Sequence, residues 1–222
     1  MSELRIITDY HEKQKTRALY EQAFDDPEIF VDYYYKYKCV DNVIITEVED
    51  DKILSMAHLN PYEMNFGGIS INTYYIVAVA TDENHRRQGC MKRVMNEAFT
   101  LMKREKIPFC WLLPVDEAIY NWMGFETICN FRRNKLTYNE IKVFDVYCIH
   151  NEKYIERATL EAELTAKGVG EALPDNPVIM SKIIDGKAFD RIAQEAFGAK
   201  TRNDAERLNL LRSKKIYIDE EV

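Results

Sequence analysis

The chain has 222 residues, which is enough for one large domain or for one domain with an appendage. Since 46% of the residues are apolar and only 8 are glycine and 6 are proline, the composition is that of a globular protein rather than a disordered or fibrous one. Its formal charge of −7 disfavours nonspecific contact with nucleic acid or a membrane, and neither is expected as a partner. No apolar run is long enough to cross a bilayer, and the N-terminus lacks the basic and apolar regions of a signal peptide.

Strands and helices are both predicted for the first part of the chain. Asp9 caps a helix that runs to about Phe24, with Glu12 placed as in a capping box. A short second helix follows the acidic turn at 25–27. The strands predicted here are residues 4–8, 43–48, 53–59 and 69–80.

The basic segment after the long strand is the most informative stretch. Val77-Ala78-Val79-Ala80-Thr81 is followed by Arg86-Arg87-Gln88-Gly89-Cys90-Met91. The pattern predicts an apolar strand, a tight loop and a helix starting near Met91, whose N-terminal N–H groups and dipole would bind an anion. Arg86, Arg87 and Lys92 surround this point with positive charge. We therefore predict a pyrophosphate site, and the alternative is an ordinary solvated helix start.

Two further strands flank a short helix downstream of this loop. A buried strand at 107–113 is followed by a helix at about 117–122 and a strand at 125–131. Composition changes after about residue 135, so we predict a mixed α/β domain over 1–135 and a small α+β region over 136–222. In that region the predicted helices are 151–168, 188–197 and 203–212, and the predicted strands are 178–184 and 215–219.

The order of these features resembles a known family. Residues 107–125, IPFCWLLPVDEAIYNWMGF, place a Tyr-x-x-x-Gly-Phe signature after a buried strand and a short helix. Together with the Arg86-x-x-Gly89-x-Met91 loop, the sequence resembles the GNAT family of acyl-CoA-dependent N-acetyltransferases over about residues 3–135. The phrases VAVATDENHRRQGCM and LLPVDEAIYNWMGF are most similar to the Eis-like acetyltransferases. Met91 departs from the Gly or Ala of the wider family, so its side chain has to point away from the phosphates.

The resemblance implies a GNAT fold, acetyl-CoA as cosubstrate, no metal, and direct transfer of the acetyl group to a primary amine of a small, cationic substrate. The strand at 77–80 would pair with the pantetheine arm, and the N–H groups of 87–92 would hold the pyrophosphate. The strand at 107–113 would splay from its neighbour to admit the thioester. The implied cosubstrate residues are Val77, Val79, Ala80, Thr81, Arg86, Arg87, Gln88, Gly89, Cys90, Met91, Lys92, Val115 and Asp116.

Tyr120 is the predicted general acid. A phenol with an ordinary pKa of ~10 is matched to a departing thiol of ~8.5, so it can protonate the thiolate of CoA. The resemblance to Eis-like enzymes, which use their own C-terminal carboxylate, makes Val222 the second predicted catalytic residue. By residue type alone, the other candidates for the base are His58, Glu63, His85 and Glu117.

An aromatic stripe is the predicted amine-binding surface. Its members follow helical spacing: Phe30, Tyr33, Tyr34 and Tyr37. They would hold a cationic amine by cation–π contact, or they would pack into the core, which is the more usual fate of such a stripe.

The remaining features concern location and partners. The five cysteines are scattered singly and the four histidines lack ligand spacing, which favours a reducing cytoplasm and argues against a metal site. Residues 136–222 are too few for the second acetyltransferase-like and the sterol-carrier-like domains of Eis-like chains, and they resemble the latter in reduced form. A homo-oligomer is common among such enzymes. The competing hypothesis is a non-catalytic GNAT-like module that binds acyl-CoA and regulates through 136–222.

Overall fold

The computed structural model describes residues 2–132, 136–169 and 175–218, and these form a mixed sheet of nine strands flanked by helices. The strands are β1 (Glu3–Ile7), β2 (Val43–Glu49), β3 (Lys52–Phe66), β4 (Ile69–Thr81), β5 (Phe109–Leu112), β6 (Glu126–Asn130), β7 (Val146–Cys148), β8 (Val178–Ile183) and β9 (Ile216–Tyr217). The helices are α1 (Tyr10–Gln14), α2 (Arg17–Ala23), α3 (Glu28–Tyr33), α4 (Cys90–Arg104), α5 (Ala118–Asn121), α6 (Tyr138–Ile141), α7 (Glu152–Ala166), α8 (Gly186–Phe197) and α9 (Asp204–Arg212). The predicted mixed α/β class is confirmed.

Both faces of the sheet carry a helical layer. The strand order is β1-β2-β3-β4-β5-β8-β6, and β7 pairs with β3 and β9. Neighbouring residues of β2 point to opposite faces, so Ile45 packs in one apolar cluster with Val94 of α4 while Ile44 packs in another with Leu19 of α2. The sequence predicts an apolar stripe on α4 from Met91, Val94, Met95, Ala98, Phe99 and Met102. It is confirmed, because Val94, Met95, Ala98 and Met102 are buried and Met91 and Phe99 are half-buried against the same cluster.

The single helix predicted for the N-terminal part is two helices, α1 and α2. Asp9 caps α1 as predicted. The helix breaks at Thr16, whose hydroxyl donates to the Lys13 carbonyl at 2.7 Å. Lys13 is itself buried, and its ammonium donates to the carbonyl of Cys39, 26 residues away, at 2.8 Å. A contact that is distant in sequence therefore accompanies the break.

β8 lies beyond the predicted boundary at residue 135 but joins the sheet formed by strands that precede it. It lies between β5 and β6 and is antiparallel to both, so Met180 is opposite Leu112 on one side and Thr127 on the other. Strand pairing therefore continues from one predicted unit into the other, and the division at residue 135 stays a prediction about folding units. The sequence did not predict β7, which has three residues. Within the part of the chain described, no helix is both long and apolar enough to traverse a lipid bilayer.

Candidate active site

A cleft opens where β4 and β5 part. The two parallel strands pair only at Tyr75 and Trp111, so the β5-facing edge of β4 beyond Tyr75 has no strand partner among the described residues. The predicted separation of the two strands is confirmed. The cleft has a volume of about 420 Å³, and residues 75–81 form one of its walls. The opposite wall comes from the end of β5 and from α5, and the end of α2 covers a third side.

A bulge interrupts β4 inside the cleft. Ala78 and Val79 together oppose the single residue Ala57 of β3. Ala78 has a φ of +50°, a backbone conformation that is unfavourable for a residue with a Cβ by about 1–3 kcal/mol. Such strain is concentrated at functional sites. Together the bulge and the unpaired edge leave main-chain groups of β4 free to bind an extended ligand arm and to stabilise an oxyanion.

The basic loop between β4 and α4 consists of tight turns. Asp82 caps a short 3-10 turn at Glu83–His85, and Arg87 and Gly89 have φ of +62° and +79°. Gly89 is the N-cap of α4, and it adopts the left-handed conformation without steric conflict. The helix therefore begins at Cys90, close to the predicted start, and its first-turn N–H groups have no acceptor within the helix.

Cationic side chains surround this helix N-terminus. Arg86 and Met91 line the cleft, whereas Arg87, Gln88 and Lys92 are exposed around the start of α4 outside the cleft lining. Unpaired N–H groups and cations at one point suit an anion such as a pyrophosphate. The departure of Met91 from the family pattern therefore places a thioether in the wall of the cleft.

Arg93 holds the loop against the sheet. Its guanidinium donates to the buried carboxylate of Glu47 on β2 at 3.0 Å and to the Gln88 carbonyl at 2.9 Å. Burial alone would raise the pKa of the Glu47 carboxyl, but the hydrogen bonds and charge of Arg93 outweigh it and lower that pKa. Cys90 is buried, with its sulfur 3.2 Å from Nη2 of Arg93, and burial raises the pKa of its thiol, which is unfavourable for a nucleophile.

We expect Arg93→Met to lower the free energy of unfolding at neutral pH by about 2 kcal/mol, less than for a fully buried ion pair because the guanidinium is half exposed. Since the folded-state pKa of Glu47 is lowered, the contribution of the pair is present above the unfolded pKa of ~4.3 and is lost as pH falls through the folded value. Urea unfolding should therefore show a larger difference from wild type at neutral pH than in acid. Arg104→Met, at the exposed end of α4, is the control, and an equal loss there would contradict the assignment.

Tyr120 lies in α5 and lines the cleft on the β5 side. Its ring packs edge-on against Phe125, with the ring centroids 5.9 Å apart. Burial raises the pKa of the Tyr120 phenol to about 12, so the group is protonated at neutral pH. Its position and its protonation state suit a general acid, whereas the raised pKa makes the phenol a weaker acid than the predicted match to a thiol of ~8.5 assumed, and the role stays a prediction.

The cleft also has an acidic side that the sequence analysis missed. Asp26 follows α2 and lines the cleft, where its carboxylate accepts a hydrogen bond from the Tyr20 hydroxyl at 2.7 Å. The ring of Phe24 lies 4.8 Å from that of Tyr20, and both rings line the cleft. An acidic turn after a helix is ordinarily solvated, so the sequence offers no signal that this one faces a ligand site.

The base candidates chosen by residue type lie elsewhere. His58, Glu63, His85 and Glu117 are all outside the lining of the cleft, and Asp26 is the one carboxylate among its described lining residues. Burial lowers the pKa of His58 to about 3.

Of the remaining predicted site residues that the structure describes, one lines the cleft and one lies outside it. Val115 lines the cleft, whereas Asp116 lies outside it and accepts from the Ala118 N–H at 2.9 Å. Val222 falls outside the described residues. Among residues 2–132, 136–169 and 175–218, no three His, Cys, Asp or Glu side chains come together to hold a metal ion, and independence from metal stays a prediction.

The predicted aromatic amine-binding surface lies away from this cleft. None of Phe30, Tyr33, Tyr34 and Tyr37 lines the cleft. The first three are buried in the apolar cluster beneath α2, and the fourth packs against that cluster. The hydroxyl of Tyr34 lies 2.9 Å from Nδ1 of the buried His58. Most of the stripe therefore packs in the core, whereas Tyr33 and Tyr37 also line a separate pocket of about 500 Å³ beside α7, and an amine-binding role for the stripe stays a prediction.

The sequence matches an acetyltransferase family. The Acetyltransferase (GNAT) domain family matches residues 3–128, which is more than half of the chain. A search of curated proteins found no significant match. The chain therefore belongs to the GNAT family of acetyltransferases.

Solved structures with the same fold are distant in sequence. A probable N-acyltransferase from Enterococcus faecalis V583 is 17% identical with a TM-score of 0.54; the match covers 59% of this chain and 33% of that one, so this chain spans about a third of its length. The ribosomal-protein-S18-alanine N-acetyltransferase from Escherichia coli is 11% identical with a TM-score of 0.51, and the match covers 83% of this chain and 95% of that one. Eis1 from Mycobacterium abscessus is 10% identical with a TM-score of 0.57, and the match covers 83% of this chain and 52% of that one. At these identities the similarity shows the fold alone.

Proposed function

We propose that the protein transfers the acetyl group of acetyl-CoA directly to a primary amine of a small, cationic substrate, as an Eis-like enzyme of the cytoplasm. The observation that carries the proposal is that one cleft joins the anion-binding loop, the unpaired edge of β4 and Tyr120. A pantetheine arm would hydrogen-bond to the edge of β4 beyond Tyr75, with its pyrophosphate at the start of α4. The five cysteines all lie in the described residues and none forms a disulfide, which is consistent with a reducing compartment.

Tyr120 and the bulge at Ala78 supply the chemistry in this proposal. The amine nitrogen forms a bond to the acetyl carbonyl carbon, and the C–S bond breaks. A main-chain N–H beside the bulge, at Val79 or Ala80, stabilises the oxyanion that develops. Tyr120 donates the proton that converts the departing thiolate to the thiol, and the nitrogen releases its proton to water. The raised pKa of Tyr120 keeps that proton in place at neutral pH.

Asp26 supports a cationic substrate. Its carboxylate accepts from the Tyr20 hydroxyl, and the half-buried Phe24 lines the same cleft, so an ammonium group there would gain a charge contact and a cation–π contact. Arg86 is the one cationic side chain among the described lining residues, and it belongs to the anion-binding loop. Within the cleft, negative charge thus comes from the end of α2 and positive charge from the loop before α4.

Release of the CoA thiol from acetyl-CoA, measured with a panel of monoamines, diamines and polyamines, tests this function. We expect release that depends on the amine and is fastest with substrates that carry a second cation. Tight binding of acetyl-CoA without amine-dependent release would contradict the proposal and favour the non-catalytic module.

We expect Asp26→Asn to raise the KM for a diamine about tenfold with little change in kcat, because the second ammonium loses a charge-assisted hydrogen bond. The KM for a monoamine of the same length should change little. Asp25→Asn removes the same charge from the adjacent, exposed residue outside the cleft lining and is the matched control. Equal effects of the two variants would show that overall charge, not contact with the substrate, is responsible.

A further inference from the structure

We infer that Trp122 is a stacking platform for the adenine base of the CoA cosubstrate, an inference that rests on the proposed function and extends its binding site beyond the cleft. Trp122 is 56% exposed. Val115 and Ile119 are exposed as well, and the three side chains form what we call the apolar rim. Exposed apolar side chains close to one another in sequence and beside a cleft are suited to contact a ligand.

The apolar rim continues the wall of the cleft. Val115 and Ile119 line the cleft itself. Ile119 and Trp122 are three residues apart in helical backbone, since Trp122 is the C-cap of α5, and residues at this spacing share a helix face. A ligand arm that leaves the cleft along this wall therefore meets the indole of Trp122.

Trp122 also lies beside the anion-binding end of α4. The ammonium of Lys92, in the first turn of α4, is 6.0 Å from the centroid of the Trp122 ring. A pyrophosphate bound to the first-turn N–H groups is therefore close to the indole. In CoA only the ribose separates the pyrophosphate from the adenine, so the base comes within reach of the ring. Because the Lys92 ammonium lies over the indole, a phosphate that pairs with it lies near the same ring.

Another partner with a pantetheine arm is an acyl carrier protein, which lacks the adenosine. Such a protein is acidic, and its charge would suit Arg86, Arg87 and Lys92. The formal charge of −7 on this chain opposes the approach of a second acidic macromolecule, whereas a single nucleotide experiences mainly the local cations. The charge balance therefore favours adenosine on the apolar rim.

We expect Trp122→Ala to raise the Kd of CoA about tenfold, because the base loses an aromatic surface on which it stacks. The Kd of phosphopantetheine, which has no adenine, should not change. Trp122→Phe keeps an aromatic ring and should retain most of the affinity for CoA. Ile155→Ala removes a similarly exposed apolar side chain, 55% exposed, from α7 outside the cleft lining and is the matched control.

Tryptophan fluorescence gives a direct readout, because the exposed Trp122 and the fully buried Trp111 are the two tryptophans of the chain. CoA should quench the exposed indole and protect it from iodide, and phosphopantetheine should do neither. The platform is overturned if Trp122→Ala binds CoA as tightly as wild type, or if it weakens phosphopantetheine to the same extent. It is also overturned if wild type binds both ligands equally, the result expected for a carrier-protein partner. Wild type that binds neither ligand overturns the proposed function itself.

Discussion

Replacing Tyr120 by phenylalanine is expected to lower kcat about a hundredfold or more, the range typical of losing a general acid, while leaving the Kd of CoA unchanged. The variant keeps the ring that packs against Phe125 and loses only the hydroxyl that would protonate the thiolate. Turnover measured as thiol release and binding measured by calorimetry separate the two effects. Loss of both together would instead show that the hydroxyl of Tyr120 contributes to binding of the cosubstrate.

The pH dependence sharpens this test. Because burial raises the pKa of the Tyr120 phenol to about 12, the acid stays protonated throughout the neutral and mildly alkaline range, and its ionisation should not reduce wild-type activity below about pH 10. Tyr147→Phe, in β7 outside the cleft lining, removes a hydroxyl of the same kind and should keep wild-type turnover. If Tyr120→Phe kept full turnover across the pH range, the acid role would be wrong.

Changing Gly89 to glutamate is expected to raise the Kd of CoA about a hundredfold or more, because a carboxylate would stand where the pyrophosphate binds and would repel it. Gly89 has a φ of +79°, so any side chain there is strained, and a Cβ would lie 3.1 Å from Nη1 of Arg93. Loss of binding alone would therefore not distinguish repulsion from a disturbed loop.

Gly68→Glu supplies the matched control. Gly68 has a φ of +92° in the turn between β3 and β4, and a Cβ there meets nothing within 4 Å. The control introduces the same charge in a similarly strained backbone but far along the chain from the loop. We expect a comparable fall in Tm for both variants and loss of CoA binding in the Gly89 variant alone. Normal CoA binding by Gly89→Glu would overturn the loop assignment.

Features set by local sequence were predictable. The apolar stripe of α4, the cap at Asp9 and the start of α4 next to Gly89 each depend on residues within a few positions, and each is confirmed. The separation of β4 from β5 followed from the family resemblance and is confirmed by their single pair at Tyr75 and Trp111. The roles of the loop and of Tyr120 in binding and catalysis stay predictions.

Features set by distant contacts were not predictable. The break at Thr16 accompanies the burial of Lys13 against the carbonyl of Cys39, and no local pattern announces that contact. Helical spacing alone could not decide whether Tyr34 faces a ligand or the core, because the answer depends on His58 of β3 lying opposite. Asp26 belongs to the cleft only because α2 packs over β4, so its acidic turn looked like ordinary surface.

The place of β8 in the sheet affects how the enzyme is made. β5 and β6 are both synthesised before residue 131, but they are not neighbours, and β8 has to enter between them. During translation each therefore presents an open strand edge until residue 183 has left the ribosome, a state that is prone to wrong pairing. Contacts as distant in sequence as Leu112 with Met180 also slow folding. A destabilising substitution in β8 would thus lower the total activity by reducing the yield of folded protein. It would not remove a contact with the ligand.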